Sequence, residues 1–391
     1  MNVAIVGGGK VGAALTSFLC SDHDVNRVLV CDKDSHALEH IEEEVQSPKL
    51  RTHRVGIERE MAFNAIIGKC DFLISALPSS YNLHLTELAV SLGIHYLDLG
   101  GSNKVFQQQM DLNKQARTKH VWVIPNSGLA PGLVNVIALH GFEDFDHVDR
   151  ISIRSGGLPQ YPKPPFYFQN SFSPETLVNE YLEKALIINS GKTEYVDPLE
   201  GYERFRFQSH PDLGEFESFY TSGQITSLAQ HLENRVNELD FKSIRYPGHR
   251  DIFKALFNLG FGSTQIIDIK SSISYRDLLV RQLKRNLPED QEDMVLMKVD
   301  ITGAKDGVQT RRSYELIEYF DNSSNMSALM KCASLPSITI AKLIHQGQVP
   351  GSGGVQPPEL LPIRQEILEL LSEKGISLDI QEQKLEKEIT P

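Results

Sequence analysis

A short apolar run, Val3-Ala4-Ile5-Val6, enters Gly7-Gly8-Gly9-Lys10-Val11-Gly12, after which Val11, Leu15, Phe18 and Leu19 recur at the spacing of one helical face. Strand, glycine turn and helix in that order constrain the fold more than any other stretch of the chain. In Gly7-x-Gly9-x-x-Gly12 the first glycine lets the backbone turn tightly and the second lets a pyrophosphate approach without a Cβ in the way. The third lets helix and strand pack closely. The amides opening the helix then face an anion, so Gly7, Gly9, Lys10, Val11 and Gly12 are the expected phosphate contacts.

A glycine pattern alone is a weak signal. Here the next β-branched run, Val28-Leu29-Val30-Cys31, ends at Asp32, twenty residues past the last glycine, where a carboxylate accepts hydrogen bonds from an adenosine ribose. The compound pattern predicts a dinucleotide cofactor. Asp32 would repel a 2′-phosphate and no Arg follows closely, so NAD is expected over NADP, with Lys33 as an opposing charge.

Further runs follow at βα spacing: Asp71 to Leu77, Leu83 to Leu92 ended by Gly93, Tyr96 to Leu99, and Val121 to Ile124. They predict a Rossmann-type, doubly wound parallel sheet of about six strands. Ligands of such sheets lie beyond the strands' carboxyl ends. Ala76, Leu77 and Pro78, the Asp98-Leu99-Gly100-Gly101 turn and Gly128 are therefore expected beside the nicotinamide half.

Composition narrows the remainder. The chain has 391 residues, 40% hydrophobic and 23% charged, with a formal net charge of −12. That length implies two or three domains. The acidic balance argues against nucleic-acid binding, and no apolar stretch approaches the roughly 20 residues that span a bilayer. Cys20, Cys31, Cys70 and Cys332 show no metal or disulfide spacing, so no metal site and buried thiols are expected. The opening residues lack a basic leader pattern, and a cytoplasmic location is expected.

From about residue 150 short strands mix with helices. Ile151-Ser152-Ile153-Arg154 runs into Gly156-Gly157, Ser173-Pro174-Glu175 starts a helix, and Lys305-Asp306-Gly307 signals a hairpin between Val295–Ile301 and Ser313–Phe320. Ser337 to Ile344 reads as a helix, Pro350 to Gly354 as a flexible loop, and the last dozen residues as a fraying tail. The expected boundaries are 1–130 for the nucleotide domain, 131–335 for an inserted α/β domain holding substrate and dimer contacts, and 336–391 for helices packing back on the first domain.

Gly128-Leu129-Ala130-Pro131-Gly132-Leu133-Val134-Asn135, Gly156-Gly157-Leu158-Pro159, Phe172-Ser173-Pro174, Arg245-Tyr246-Pro247-Gly248-His249 and Gly354-Val355-Gln356-Pro357-Pro358-Glu359 together resemble the saccharopine dehydrogenase family. Within it the chain is most similar to the lysine 6-dehydrogenase branch. Members that release glutamate usually carry Asp-Pro-Gly-x-Asp-His where this chain has Ala130 to Asn135. The family also often has Thr-Gly where Ser334-Leu335 stands. The resemblance implies oxidation of the L-lysine ε-amine by NAD, with Asn135 at the substrate. Alternatives are a saccharopine-type or carboxyalkyl-polyamine dehydrogenase acting on a secondary amine, and a catalytically silent NAD-binding scaffold or sensor.

Such chemistry needs a cation for the α-carboxylate and a group that handles the amine proton. Arg245, with Tyr246 and His249 around a rigid turn, is the first choice for the substrate pocket; the rival is an ordinary helix start. Arg154 is a second carboxylate candidate against a solvated strand end. Asp98 is expected at the substrate amine, unless it caps its own turn, and His84 near the nicotinamide, unless it is scaffold. Tyr167 is placed on a lid formed with Lys163-Pro164-Pro165. A homodimer is expected, because a sheet-rich second domain has edges to cover.

Overall fold

A computed structural model describes residues 1–268, 272–289 and 292–385. The chain divides into two compact units, Met1–His140 with Met330–Ser377, and Gly141–Leu329 with the residues from Leu378 on.

The first unit is built on a wholly parallel sheet. Its strands are β1 (Asn2–Val6), β2 (Arg27–Asp32), β3 (Leu50–Arg54), β4 (Phe72–Ser75), β5 (His95–Asp98) and β6 (Trp122–Ile124), joined by a two-residue strand, Gly354–Val355. The order is Gly354–Val355, β6, β5, β4, β1, β2, β3, so the sheet has seven strands rather than six. β3 escaped the apolar pattern because Leu50 is its one buried residue, as suits an edge strand. The seventh strand lies where a flexible loop was expected. Gly354 N–H donates to Val121 O at 2.8 Å, and a Cβ on Gly353 would lie 2.7 Å from that oxygen, so glycine is needed for the close approach.

The helix expected from Ser337 runs instead from Ala328 to His345, with Pro336 inside it. Pro336 looked like a boundary because it lacks an amide. Ser334 and Ser337 are fully buried, and the Ser337 hydroxyl donates to Ser127 O at 2.8 Å, so the late helix belongs to the same fold as the early strands. All four cysteines are free and buried; burial pushes the Cys31 thiol up to about 12. No described helix is long and apolar enough to cross a membrane.

The second unit carries β7 (His147–Pro159), β8 (Ala185–Asn189), β9 (Lys192–Val196), β10 (Glu203–Phe205), β11 (Phe216–Tyr220), β12 (Val236–Arg245), the separate pair β13 (Ile266–Asp268) and β14 (Ile273–Ser274), then β15 (Asp293–Lys305) and β16 (Val308–Tyr319). After β17, the Gly354–Val355 strand, β18 (Asp379–Lys384) completes a nine-stranded sheet whose main order is β10, β11, β12, β7, β15, β16, β18. The β15–β16 turn is made by Asp306 at φ 51° and Gly307 at φ 73°, the two positive angles of a tight hairpin. β7 is far longer than the four residues expected. Gly156 and Gly157 do not end it but pair with Leu296 and Val295, and a Cβ on Gly156 would meet Ile244 O at 2.5 Å. The tail also departs from expectation: Asp379–Lys384 pairs with β16, while 386–391 lie outside the described residues. The aromatic run from Phe166 to Phe172 is core, Phe168 packing with Leu177, Tyr181, Phe219 and Phe253.

Candidate functional site

In the first unit β1 lies between β2 and β4, the point where strand order reverses and such sheets open a crevice. Gly7 follows β1 at φ 104°, and a Cβ there would lie 2.9 Å from Ala76 O and 3.1 Å from Leu77 Cδ2. The two predicted loops therefore meet. A Cβ on Gly12 would sit 1.9 Å from Gly7 O, which fixes glycine where the helix Lys10–Ser21 crosses the strand end. At Gly9 a Cβ would meet nothing within 4 Å, and no side chain caps the helix start. Glycines demanded by packing on two sides and open space on the third fit a pyrophosphate. Asp32 accepts from Gly8 N at 2.6 Å and Asp34 N at 2.9 Å, which holds the carboxylate at the end of β2 with lone pairs left for ribose hydroxyls. Lys10 is exposed and Val11 half-buried.

Asp98 corrects its expectation. It is fully buried; Oδ1 accepts from Gly100 N at 2.8 Å and Asn126 N at 3.1 Å, and Oδ2 from Gln109 Nε2 at 2.6 Å. Burial raises its carboxyl despite these donors. Oδ1 serves the turns after β5 and β6 and Oδ2 the helix Asn103–Asp111, so these bonds are those of the capping alternative rather than of a free carboxylate. His84 is exposed on the helix Asn82–Leu92, whose inward face carries Asn82, Leu85 and Thr86. Gly128 packs where a Cβ would touch Leu99 O at 3.4 Å, and Asn135 is buried in the helix Leu133–Phe142.

In the second unit Arg245 ends β12, beside Glu217 of β11. Gly248, at φ 98°, turns the chain into the helix His249–Asn258. Glu217 pins that turn by accepting from Gly248 N at 2.9 Å and Arg250 N at 2.7 Å. The consequence is a chain of bonds with one direction. Phe166 O can only accept, so His249 Nδ1, 2.8 Å away, carries the proton and Nε2 is the acceptor. The Tyr181 hydroxyl, 3.0 Å from Nε2, therefore donates to it and accepts from Arg245 Nε at 2.8 Å. His249 is fully buried; burial first and the Arg245 charge second push its pKa down to about 3, so it stays neutral. It holds Tyr181 rather than taking protons from a substrate.

Arg245 is 3% exposed and lies over the rings of Phe168 and Tyr181 at 4.9 and 5.8 Å. Nη1 donates to Ile244 O at 2.7 Å. Among the described residues it forms no salt bridge, and Nη2 has no hydrogen-bond partner. A buried guanidinium without a carboxylate is costly unless an anion completes it. Glu180, the last residue of the helix Pro174–Glu180 and the neighbour of Tyr181 in the chain, is a titratable group that the sequence did not single out. Burial raises its carboxyl to about 7 against the opposing pull of Arg245 and a hydrogen bond from Gln224, with Glu183 adding to the rise. A signal was available in its place next to Tyr181, but nothing in the sequence tied either to position 245.

Arg154 departs from the substrate role. It makes paired hydrogen bonds to Asp240 at 2.8 and 3.1 Å and to Glu203, and Lys242 reaches Glu203 at 2.8 Å. Two acids already neutralise it. Tyr246 donates its hydroxyl to Pro159 O at 2.8 Å, with its ring 5.6 Å from Phe216, so it too serves the scaffold. Tyr167, at φ 52°, bonds through its amide to Lys163 O at 2.9 Å, a local turn in the expected loop.

Residues 3–124 match the model of the saccharopine dehydrogenase NADP binding domain, and residues 128–376 that of the saccharopine dehydrogenase C-terminal domain. Among solved structures, apo histidine-tagged saccharopine dehydrogenase (L-Glu forming) from Saccharomyces cerevisiae is 18% identical, covers 98% of this chain and 99% of its own, and superposes with a TM-score of 0.77. Homospermidine synthase from Legionella pneumophila, in complex with NAD, is 15% identical, covers 100% of this chain and 94% of its own, with a TM-score of 0.71. These likenesses are of fold. The glycine cradle at the β1–β4 crevice agrees with the first match and makes the first unit a nicotinamide-dinucleotide domain. The second model alone spans more than half the sequence, so the chain belongs to the saccharopine dehydrogenase family.

Proposed function

We propose that this protein is an NAD-dependent oxidoreductase acting on the C–N bond of an amino acid, and that its substrate is the ε-amine of L-lysine, released as the 6-semialdehyde and ammonia. The observation that carries the reading is Arg245, a buried guanidinium with a donor to spare and no salt bridge among the described residues. An α-carboxylate is the anion that such a planar donor takes best.

When bound, the nicotinamide supplies the hydride acceptor. The chain's own residues do the rest. The Gly7–Gly12 turn receives the pyrophosphate and Asp32 the ribose, with NAD favoured because that carboxylate repels a 2′-phosphate. Tyr181, fixed by neutral His249, fixes Arg245 in turn, so the carboxylate meets a preset donor. Hydride loss to the bound cofactor would need a free nitrogen lone pair, so the ammonium must first lose a proton from a reference pKa of about 10.4, and the resulting imine would be hydrolysed to the semialdehyde. The rate should therefore rise with pH.

The test is NADH formation, followed at 340 nm, from L-lysine. Turnover of a secondary-amine amino acid with none of lysine would transfer the reading to a saccharopine-type or carboxyalkyl-polyamine dehydrogenase. The names of the two structural neighbours favour that second reading. Nucleotide binding with no turnover of any amine would leave a scaffold or sensor. We further propose a homodimer, from the sheet edges of the second unit, and a cytoplasmic location, in keeping with four free thiols and no disulfide among the described residues.

A further inference from the structure

We infer that the Asn126 side-chain amide recognises the carboxamide of a bound nicotinamide ring, and that Asp98 and Gln109 are positioning residues that hold it in place. The inference rests on the nucleotide-binding assignment of the first unit and is independent of the amine proposed above.

The buried polar side chains at the carboxyl ends of β4, β5 and β6 are committed, with one exception. Ser75 donates its hydroxyl to Asn82 Oδ1 at 2.9 Å, Asp98 accepts from three donors, and the Ser127 hydroxyl donates to Asp98 O at 2.8 Å. Asn126, two residues past β6 and 5% exposed, is the exception: its side-chain amide makes no hydrogen bond among the described residues. A nearly enclosed amide left unpaired is costly unless a ligand completes it. A second carboxamide does so in both directions, since each amide offers an N–H donor and a carbonyl acceptor.

The position fits as well. A Cβ on Gly100, at φ 80°, would lie 2.3 Å from Asn126 Oδ1, so the amide leans over the turn after β5. β5 is two strands from β1 in the sheet order, about 10 Å at roughly 4.8 Å per strand, and β1 leads into the glycine turn that receives the pyrophosphate. One ribose and the ring cover that span.

Asn126 stands at φ 61°, a left-handed conformation that asparagine tolerates better than most residues, but glycine would serve that backbone equally well. The main chain alone does not call for the amide. Its aim is set by Asp98, whose Oδ1 accepts from both Asn126 N at 3.1 Å and Gly100 N at 2.8 Å. Gln109 Nε2 holds the other carboxylate oxygen at 2.6 Å and also donates to Thr86 Oγ1 at 2.9 Å.

The test is calorimetric binding to the full chain of three nucleotides: NAD, 3-acetylpyridine adenine dinucleotide, which has a methyl group in place of the amide nitrogen, and ADP-ribose, which lacks the ring. NAD should bind about five-fold tighter than the acetylpyridine analogue, the worth of one net hydrogen bond. Asn126→Gly should erase that preference and leave ADP-ribose affinity unchanged, whereas Asn126→Asp, which still accepts from the amide nitrogen, should keep it. Gln109→Leu should shrink the preference with ADP-ribose binding intact, which a loss of stability alone would not produce. Equal affinity of NAD and the analogue for the unaltered protein overturns the inference whether or not any variant folds, and so does a preference that survives in Asn126→Gly. Failure of ADP-ribose to bind would remove the nucleotide assignment and the inference with it, whereas a missing lysine oxidation bears on the proposed substrate alone.

Discussion

Replacing Tyr181 with Phe removes one oxygen and keeps the ring. The ring contacts, edge-on to Phe219 at 5.5 Å and to Phe253 at 5.0 Å, survive. Two hydrogen bonds do not: Arg245 Nε loses its acceptor and His249 Nε2 its donor. Both groups are buried, at 3% and 0% exposure, so water cannot replace the lost partner. A bond to a charged group contributes about 1.5–3 kcal/mol and stranding a buried neutral acceptor costs about 1–3 kcal/mol, which gives about 4 kcal/mol together. For a unit of this size that is about 10 °C in the midpoint of its thermal transition. Scanning calorimetry should show the fall. L-lysine KM should rise with it, since Arg245 would lose its fixed aim. A shift below about 2 °C would mean that the hydroxyl does not bridge the two groups, and the directional chain from Phe166 to Arg245 would be wrong.

Other outcomes follow from the same contacts. Asp32→Ser should narrow the preference for NAD over NADP in fluorescence titrations, and a wild-type protein that already binds NADP more tightly would contradict the role given to that carboxylate. Arg154→Met should destabilise the protein by about 3 kcal/mol in urea melts, by leaving Asp240 short of its charge partner, yet leave lysine KM unchanged in the folded fraction. Glu203 is pushed up by burial but held at about 2 by Arg154 and Lys242, so its contribution to stability should be complete above about pH 4.3 and decline as pH falls toward 2; acid melts of Arg154→Met should lack most of that decline. Light scattering at micromolar concentration should give twice the chain mass, and a monomeric value would refute the dimer.

What could be read from sequence was local. The Gly7–Gly12 turn with Asp32 and the Asp306-Gly307 hairpin carry their own backbone requirements, so a short window holds the whole signal. Gly156 and Gly157 misled because glycine usually interrupts a strand, whereas here Ile244 O needs the space at the first and the Leu329 side chain at the second. Arg154 misled for the opposite reason: its partners lie 49 and 86 residues away, and no pattern near position 154 announces them. Asp98 was placed correctly at a strand end, but its donors come from the turns at 100 and 126 and from Gln109 on a helix, which no pattern near position 98 announces. Glu180 was invisible because the burial that raises its carboxyl is a property of the folded chain alone.

The seam at Gly354–Val355 bears on how the nucleotide module can be handled. β6 acquires its outer neighbour from residues that a ribosome adds long after β6 itself, so the growing polypeptide carries an open flank through the whole synthesis of the second unit. A fragment ending at His140 would expose that same rim permanently and would lack the late helix bearing Ser337. Grafting residues 1–140 onto a foreign partner would thus transplant an adhesive edge along with the glycine turn.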